Sequence, residues 1–243
     1  MGVLIYGVVR SVTYALMAVG FSFAYGVSRL PNFAHGALYI LAGFIAWIFV
    51  RELGLNYPLS IVISLILIAF IGGTIYRFIL IRVRGMPTSE IIASYAVGVA
   101  ILEALRMRFV GTAFATPLFI EGTVDIAGVP IDFQRLVIIG VGLAVVLLIW
   151  AFTHYTKMGL ALRGIAQDER ASMMLGIDSN WAATIALAIG SALAALAALT
   201  ILPTGSITVN EGYEVLISAL AVCIIGGLGT CLPVRPKVDP DAV

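Results

Sequence analysis

The feature that most constrains this chain is a succession of apolar stretches, near residues 3–26, 34–50, 58–81, 89–107, 133–152, 181–202 and 214–229. A hydrocarbon core about 30 Å thick takes about 20 apolar residues in a helix, and these stretches are close to that length. In lipid no water satisfies an exposed peptide group, so the backbone must close its hydrogen bonds within a helix or around a closed barrel. A barrel needs alternating segments of about ten residues, whereas "LVIIGVGLAVVLLIWAF" is a continuous apolar run. Composition agrees: 61% of the residues are hydrophobic and 11% charged, against roughly a quarter charged in a soluble domain. The expected fold is an all-α polytopic membrane protein with about seven transmembrane helices.

The first stretch has no basic segment before it and is longer than a signal-peptide core, so it is expected to be retained. Lys and Arg divide unevenly between alternate loops. Arg29, Arg82, Arg84, Lys157, Arg163, Arg170, Arg235 and Lys237 lie on one side, and Arg51, Arg108 and Arg135 on the other. The positive-inside bias makes the first side cytoplasmic and puts the N-terminus outside. A net charge of +1 gives no reason to expect a nucleic-acid partner, and Cys223 and Cys231 form no metal or disulfide motif.

Two loops are long. Residues 108–132 fall outside and suit a lid that meets a partner; residues 153–180 fall inside. In the second, "LALRGIAQ" runs as a helix up to Asp168, whose side chain can cap a further short helix starting at Glu169. Gly176 supplies a left-handed end to it. The pair presents Met173, Met174 and Leu175, and is either an amphipathic connector on lipid headgroups or a docking element for a partner groove.

Other features read as structural. Ala186, Gly190, Ala194 and Ala198 form a small-residue stripe suited to close helix packing, within the chain or across a dimer. Arg10 lies about 10 Å into the first helix and must snorkel, pair or face water, with snorkelling to the outer surface favoured. Glu103 and Arg106 are spaced for a local ion pair, and Glu90 suits the first turn of a helix by its dipole.

"SVTYALMAVGFSFAYGVSRLPNFAHGALYILAGFIA" and "MGLALRGIAQDERASMMLGI" together resemble the permease subunits of branched-chain amino acid ABC transporters, of the LivH/LivM type, over about residues 1–230. Ser11, Tyr14, Ala15, Leu16, Tyr25, Gly26, Asn32, Phe33, Ala34, His35 and Gly36 fall on that family's first motif, although its glycine before the serine is Arg10 here. Met158, Gly159, Arg163, Ala166, Asp168, Leu175, Gly176 and Ile177 fall on its second. The resemblance implies a type II-like ABC importer permease bundle in a bacterial or archaeal inner membrane, serving branched-chain or related small amino acids or amides. It implies as partners a second permease subunit, two cytoplasmic ABC ATPase subunits and a periplasmic or extracellular solute-binding protein. It makes 153–180 the coupling loop, with Met158, Gly159, Arg163, Ala166, Gln167, Asp168, Glu169, Leu175 and Gly176 facing the ATPase. No cofactor is expected on this chain, since no G-x-x-x-x-G-K-[ST] phosphate loop occurs and ATP would bind the partner subunits.

The stretch ending in Gly226, Gly227 and Gly229 resembles the family's glycine cluster and would allow a helix break beside a cavity. Family members usually continue with further membrane helices, whereas here residues 230–243 read as a polar tail, expected to be disordered, after a permease domain at 1–229. "LPNFAHG" at 30–36 sits between the first two segments. Pro31 forbids a continuous helix and Asn32 can cap the next one. Either this is a plain turn, or Asn32, His35 and Gly36, with Tyr14, belong to a broken helix at the translocation path. Two rivals stand against the transporter subunit. An ion-coupled carrier or channel would need a mid-segment carboxylate, and an intramembrane enzyme a zinc or nucleophile motif; neither is evident. An ABC permease for another small solute, such as urea, remains within the same class.

Overall fold

The structure, a computed structural model, describes residues 2–29, 31–109, 122–126, 129–204 and 208–227. It is nearly all helical. Each apolar stretch falls on a helix: α1 (Gly2–Ser28), α2 (His35–Arg51), α3 (Tyr57–Ile75), α5 (Pro87–Arg108), α6 (Phe133–Tyr155), α9 (Ser179–Ile201) and α10 (Glu211–Gly226). A π-helical turn (Tyr76–Leu80) and the short α4 (Ile81–Val83) extend α3 without interruption, and α7 (Lys157–Gln167) and α8 (Glu169–Met174) lie between α6 and α9. One feature departs from the all-helical expectation: in the loop at 108–132, β1 (Thr123–Ile126) pairs antiparallel with β2 (Val129–Asp132). Residues 110–121, 127 and 128 of that expected lid lie outside the described residues.

Among the described residues, five helices are long and apolar enough to cross a membrane: Tyr6–Ser28, Tyr57–Val83, Thr88–Arg108, Phe133–Tyr155 and Ser179–Ile201. At 17 and 16 residues, α2 and α10 are shorter. Their ends follow ordinary rules. Pro58 and Pro87 occupy the first turns of α3 and α5, where a missing N–H costs nothing. Asp178 caps α9, its Oδ1 accepting from the Asn180 and Trp181 backbone N–H groups at 2.8 and 3.3 Å.

Lipid is as apolar as a protein interior, so hydrophobicity does not mark which face turns inward; small and polar residues do. On α3 the buried stripe is Ser60, Ser64, Ile68, Gly72 and Ile75, while Val62, Ile66 and Phe70 are exposed. On α9 the stripe Ala186, Gly190, Ala194 and Ala198 is fully buried, and this helix packs against α1, α2 and α3. The stripe therefore serves packing within the chain. Gly190 meets Gly20 of α1 so closely that a Cβ on Gly20 would lie 2.6 Å from the Gly190 carbonyl oxygen, and a Cβ on Gly190 2.8 Å from that of Gly20. On the other side of α9, a Cβ on Gly72 would lie 2.1 Å from the Ser191 Oγ. The third glycine crossing joins α2 to α10, where a Cβ on Gly36 would lie 2.0 Å from the Gly212 carbonyl oxygen.

Gly20→Ala is accordingly expected to destabilise the bundle by about 1–3 kcal/mol, the usual cost of overpacking. Gly140→Ala, at a helical glycine with open space around it, should be neutral or stabilising by up to about 1 kcal/mol. Thermal unfolding of the two variants in one detergent compares them directly.

Candidate functional site

The polar segment before α2 does not sit at the end of the bundle. His35, the first residue of α2, is buried, packs edge-on against Phe21 with ring centroids 5.6 Å apart, and places Nε2 3.1 Å from the Met17 carbonyl oxygen. A carbonyl only accepts, so Nε2 donates. Met17 precedes the last residue of α1, Ser28, by about 16 Å along the helix. From the other side, a Cβ on Gly98, well inside α5, would lie 3.2 Å from the Ala34 Cα and 3.3 Å from the Phe33 carbonyl oxygen. The chain after α1 thus folds back between α1 and α5, and α2 begins deep in the bundle.

Buried backbone groups there need partners, and the polar residues supply them. The Phe33 N–H donates to the Ser94 Oγ at 3.2 Å, the Ala34 N–H to the Asn32 Oδ1 at 3.0 Å, and the His35 N–H to the Asn32 carbonyl at 3.2 Å. This corrects the expectation that Asn32 caps α2. Ala34 holds the cap position, and the Asn32 carboxamide closes an Asx turn ahead of it. Glu90 also does more than offset a dipole: it is buried and accepts from the Gly85 N–H at 2.7 Å, fixing the turn into α5.

A second helix end meets the same stretch of α1. Gly226 closes α10 and Gly227 turns with φ +88°. Both line a cavity of about 160 Å³ with Ala15, Ala18, Val19 and Ser22. Cys223, buried in the last turn of α10, donates from Sγ to the Ala18 carbonyl at 3.3 Å, as a core residue does. Gly229, Cys231 and the tail lie outside the described residues. Tyr14 is more exposed and lines a larger cavity of about 830 Å³ toward the N-terminal end of α1. Arg10 lines that cavity too and has no ion pair or hydrogen bond among the described residues. Arg10 is exposed and borders that open space.

At the opposite end of the bundle, α7 and α8 form a compact pair bent at Asp168. Thr156 caps α7, its Oγ1 accepting from the Gly159 N–H at 2.9 Å. A Cβ on Gly159 would lie 2.3 Å from the Phe152 carbonyl oxygen, so only glycine permits this reversal out of α6. Gly159, Leu162, Ile165 and Ala166 turn the inner face of α7 to the bundle, while Met158 and Arg163 are partly covered. The Arg163 Nε is buried without a hydrogen-bond partner among the described residues. The Asp168 Oδ1 accepts from the Ala171 N–H at 3.1 Å to start α8, and Gly176 follows with φ +86°. Gln167, Asp168, Glu169, Leu175 and Gly176 are exposed. Met174 is 90% and Leu175 82% exposed, and Leu160 and Met173 are exposed to a lesser degree.

Two arginines that sequence reasoning read only as positive-inside charge anchor this pair. Arg29 ends α1 in the left-handed region at φ 59°, and its guanidinium donates to the Ala166 carbonyl in the last turn of α7, where helical carbonyls lack intrahelical donors. Arg84, just after α4, donates to the Glu169 Oε1 at 2.6 Å and to the Ser179 Oγ and Asn180 Oδ1 at the start of α9. Glu169 also accepts from the Ser179 hydroxyl. The α7–α8 pair is thereby tied to α1, α4 and α9 together.

The structure is thus a helical bundle with helix ends inside it and a short helix pair clamped to one end, an arrangement that fits a transport permease. The chain belongs to the family described as the branched-chain amino acid transport system / permease component, whose pattern matches residues 3–235. It is 28% identical to the high-affinity branched-chain amino acid transport system permease protein BraD of Pseudomonas aeruginosa, covering 93% of this chain and 79% of that one. It is 24% identical to the permease protein LivH of Escherichia coli, over 92% and 78% of the two chains. The probable branched-chain amino acid transport permease protein LivH of Methanocaldococcus jannaschii is 24% identical, over 91% and 72%. No solved structure matches the chain.

Arg84→Ala removes the shared anchor of α8 and α9. Its ion pair is partly exposed, so a loss of about 1 kcal/mol is expected. Hydrogen exchange at residues 171–176 should speed by about fivefold, with α3 and α6 unchanged.

Proposed function

We propose that this chain is the membrane-spanning subunit of an ATP-driven importer for branched-chain or related small amino acids or amides. It works with a second permease subunit, two cytoplasmic ABC ATPases that bind and hydrolyse the ATP, and a solute-binding protein on the outer face. Residues 1–229 form the permease domain, the N-terminus lies outside, and 153–180 lies in the cytoplasm of a bacterial or archaeal cell. The names of the relatives support the substrate class.

The observation that carries the coupling assignment is the pairing of exposed apolar side chains with rigid anchors. Met173, Met174, Leu175 and Leu160 offer an apolar surface for a partner groove, as in helix-in-groove recognition. A push on that surface has a stiff route into the bundle, through Arg84 to the starts of α9 and α5, and through Arg29 to the turn before α2. That turn leads to His35 against Met17, so movement of the ATPase pair would shift the buried start of α2 relative to α1. Asn32, His35, Gly36, Gly226 and Gly227 are then the helix-end residues beside the translocation path, and Tyr14 lies on its outer approach.

Met174→Glu with Leu175→Glu tests the docking surface while leaving the anchors intact, since both side chains are exposed. Co-purification of ATPase subunits encoded beside this chain is expected to fall by at least about tenfold, in line with loss of an interface hot spot, at an unchanged melting temperature. Undiminished recovery of the ATPase would overturn the coupling assignment.

A further inference from the structure

The cavity at the outer end of α1 carries a chemistry that the permease reading does not assign. It is lined by Tyr6, Arg10, Thr13, Tyr14 and Arg135, and Met17 lies at its deep end. Tyr6 to Met17 spans about 16 Å of helix, roughly half of a hydrocarbon core. Its volume, about 830 Å³, falls in the range of small-molecule sites. Behind Met17 stands His35, whose Nε2 meets the Met17 carbonyl at 3.1 Å. The cavity therefore runs from the outer end to Met17, whose carbonyl holds the buried start of α2.

Two arginines stand in its described lining. Arg135 sits 4.9 Å above the Tyr6 ring and pairs at 3.5 Å with Asp132, whose side chain is 55% exposed. Arg10 has no ion pair or hydrogen bond among the described residues, and no acid is among the described lining residues. A guanidinium facing such a cavity can take an anion from it, and a planar donor fork matches a carboxylate in two hydrogen bonds.

We infer that this cavity is a vestibule for the carboxylate of the transported solute, with Arg10 as the receiving cation, Arg135 as an outer steering charge and the tyrosines as walls for the apolar part. The inference rests on the importer reading and selects within it: acids are taken in preference to the matching amides.

A thiol at Thr13, in a chain with Cys223→Ala and Cys231→Ala, reports on the cavity in zwitterionic nanodiscs. The anionic sulfonatoethyl methanethiosulfonate is expected to react faster than the cationic trimethylammonium reagent by about tenfold after correction for intrinsic reactivity, as for a steered approach. Arg10→Gln with Arg135→Gln should bring the ratio near unity. Isovalerate at millimolar concentration should slow labelling, and isovaleramide should not.

A charge ratio indifferent to both arginines, or equal protection by acid and amide, overturns the inference. So does labelling that phosphatidylglycerol suppresses and isovalerate leaves untouched, which would make the anion a lipid headgroup. ATPase recovery with the Arg10→Gln/Arg135→Gln chain keeps the two readings apart. Isovalerate protection absent from the chain that keeps both arginines, while the ATPase still binds it, refutes the vestibule alone, whereas an ATPase that binds neither chain refutes the importer reading.

Discussion

Lipid gives an apolar helix no reason to prefer another helix over acyl chains, so a bundle of this kind is held by how closely backbones approach. In this chain that approach centres on α9. Its buried alanines, Gly190 and Ser191 bring α1 against one side through Gly20 and α3 against another through Gly72. With α9 fixed between them, the starts and ends of the shorter helices have defined places inside the bundle. The buried start of α2 depends on it, because a helix that begins in the interior needs neighbours to satisfy its turn. Ser94 and Asn32 do so for Phe33 and Ala34.

The same helix joins the two working ends of the molecule. Its first residues, Ser179 and Asn180, share Arg84 with Glu169 of α8. Its last, Ile201, borders the cavity that holds Arg10 and Arg135. One helix, packed along its length on α1, α2 and α3, thus runs from the α7–α8 pair to the opposite cavity.

Much of this was readable before any coordinates, and the divide has a physical cause. Segment length in lipid is a local property, so each apolar stretch found its helix. The cap at Asp168, the left-handed Gly176 and the Glu103–Arg106 ion pair at 2.8 Å are likewise local, resting on spacings of a few residues. The small-residue stripe announced close packing but not its partner, because Gly20 and Gly190 are brought together only by the fold. Arg29 and Arg84 carried one meaning in sequence, a basic charge at a membrane end, and it masked a second. Their geometric role depends on acceptors far along the chain, at Ala166, Glu169 and Asn180. The depth of His35 was hidden for the same reason: nothing in a seven-residue segment says how far the chain turns back before the next helix starts.

The π-helical turn at Tyr76–Leu80 is a matter of phase. A π turn holds one residue more than an α turn, and each residue advances an α-helix by about 100°. Everything after Leu80 is thus turned by about that angle from the direction α3 alone would set. Shortening the turn by a single residue would leave the helix as apolar and nearly as long, yet point Arg84 away from Glu169 and Ser179. The orientation of the anchor is stored as a count of residues rather than as any side chain, a register that substitution cannot easily disturb and deletion would erase.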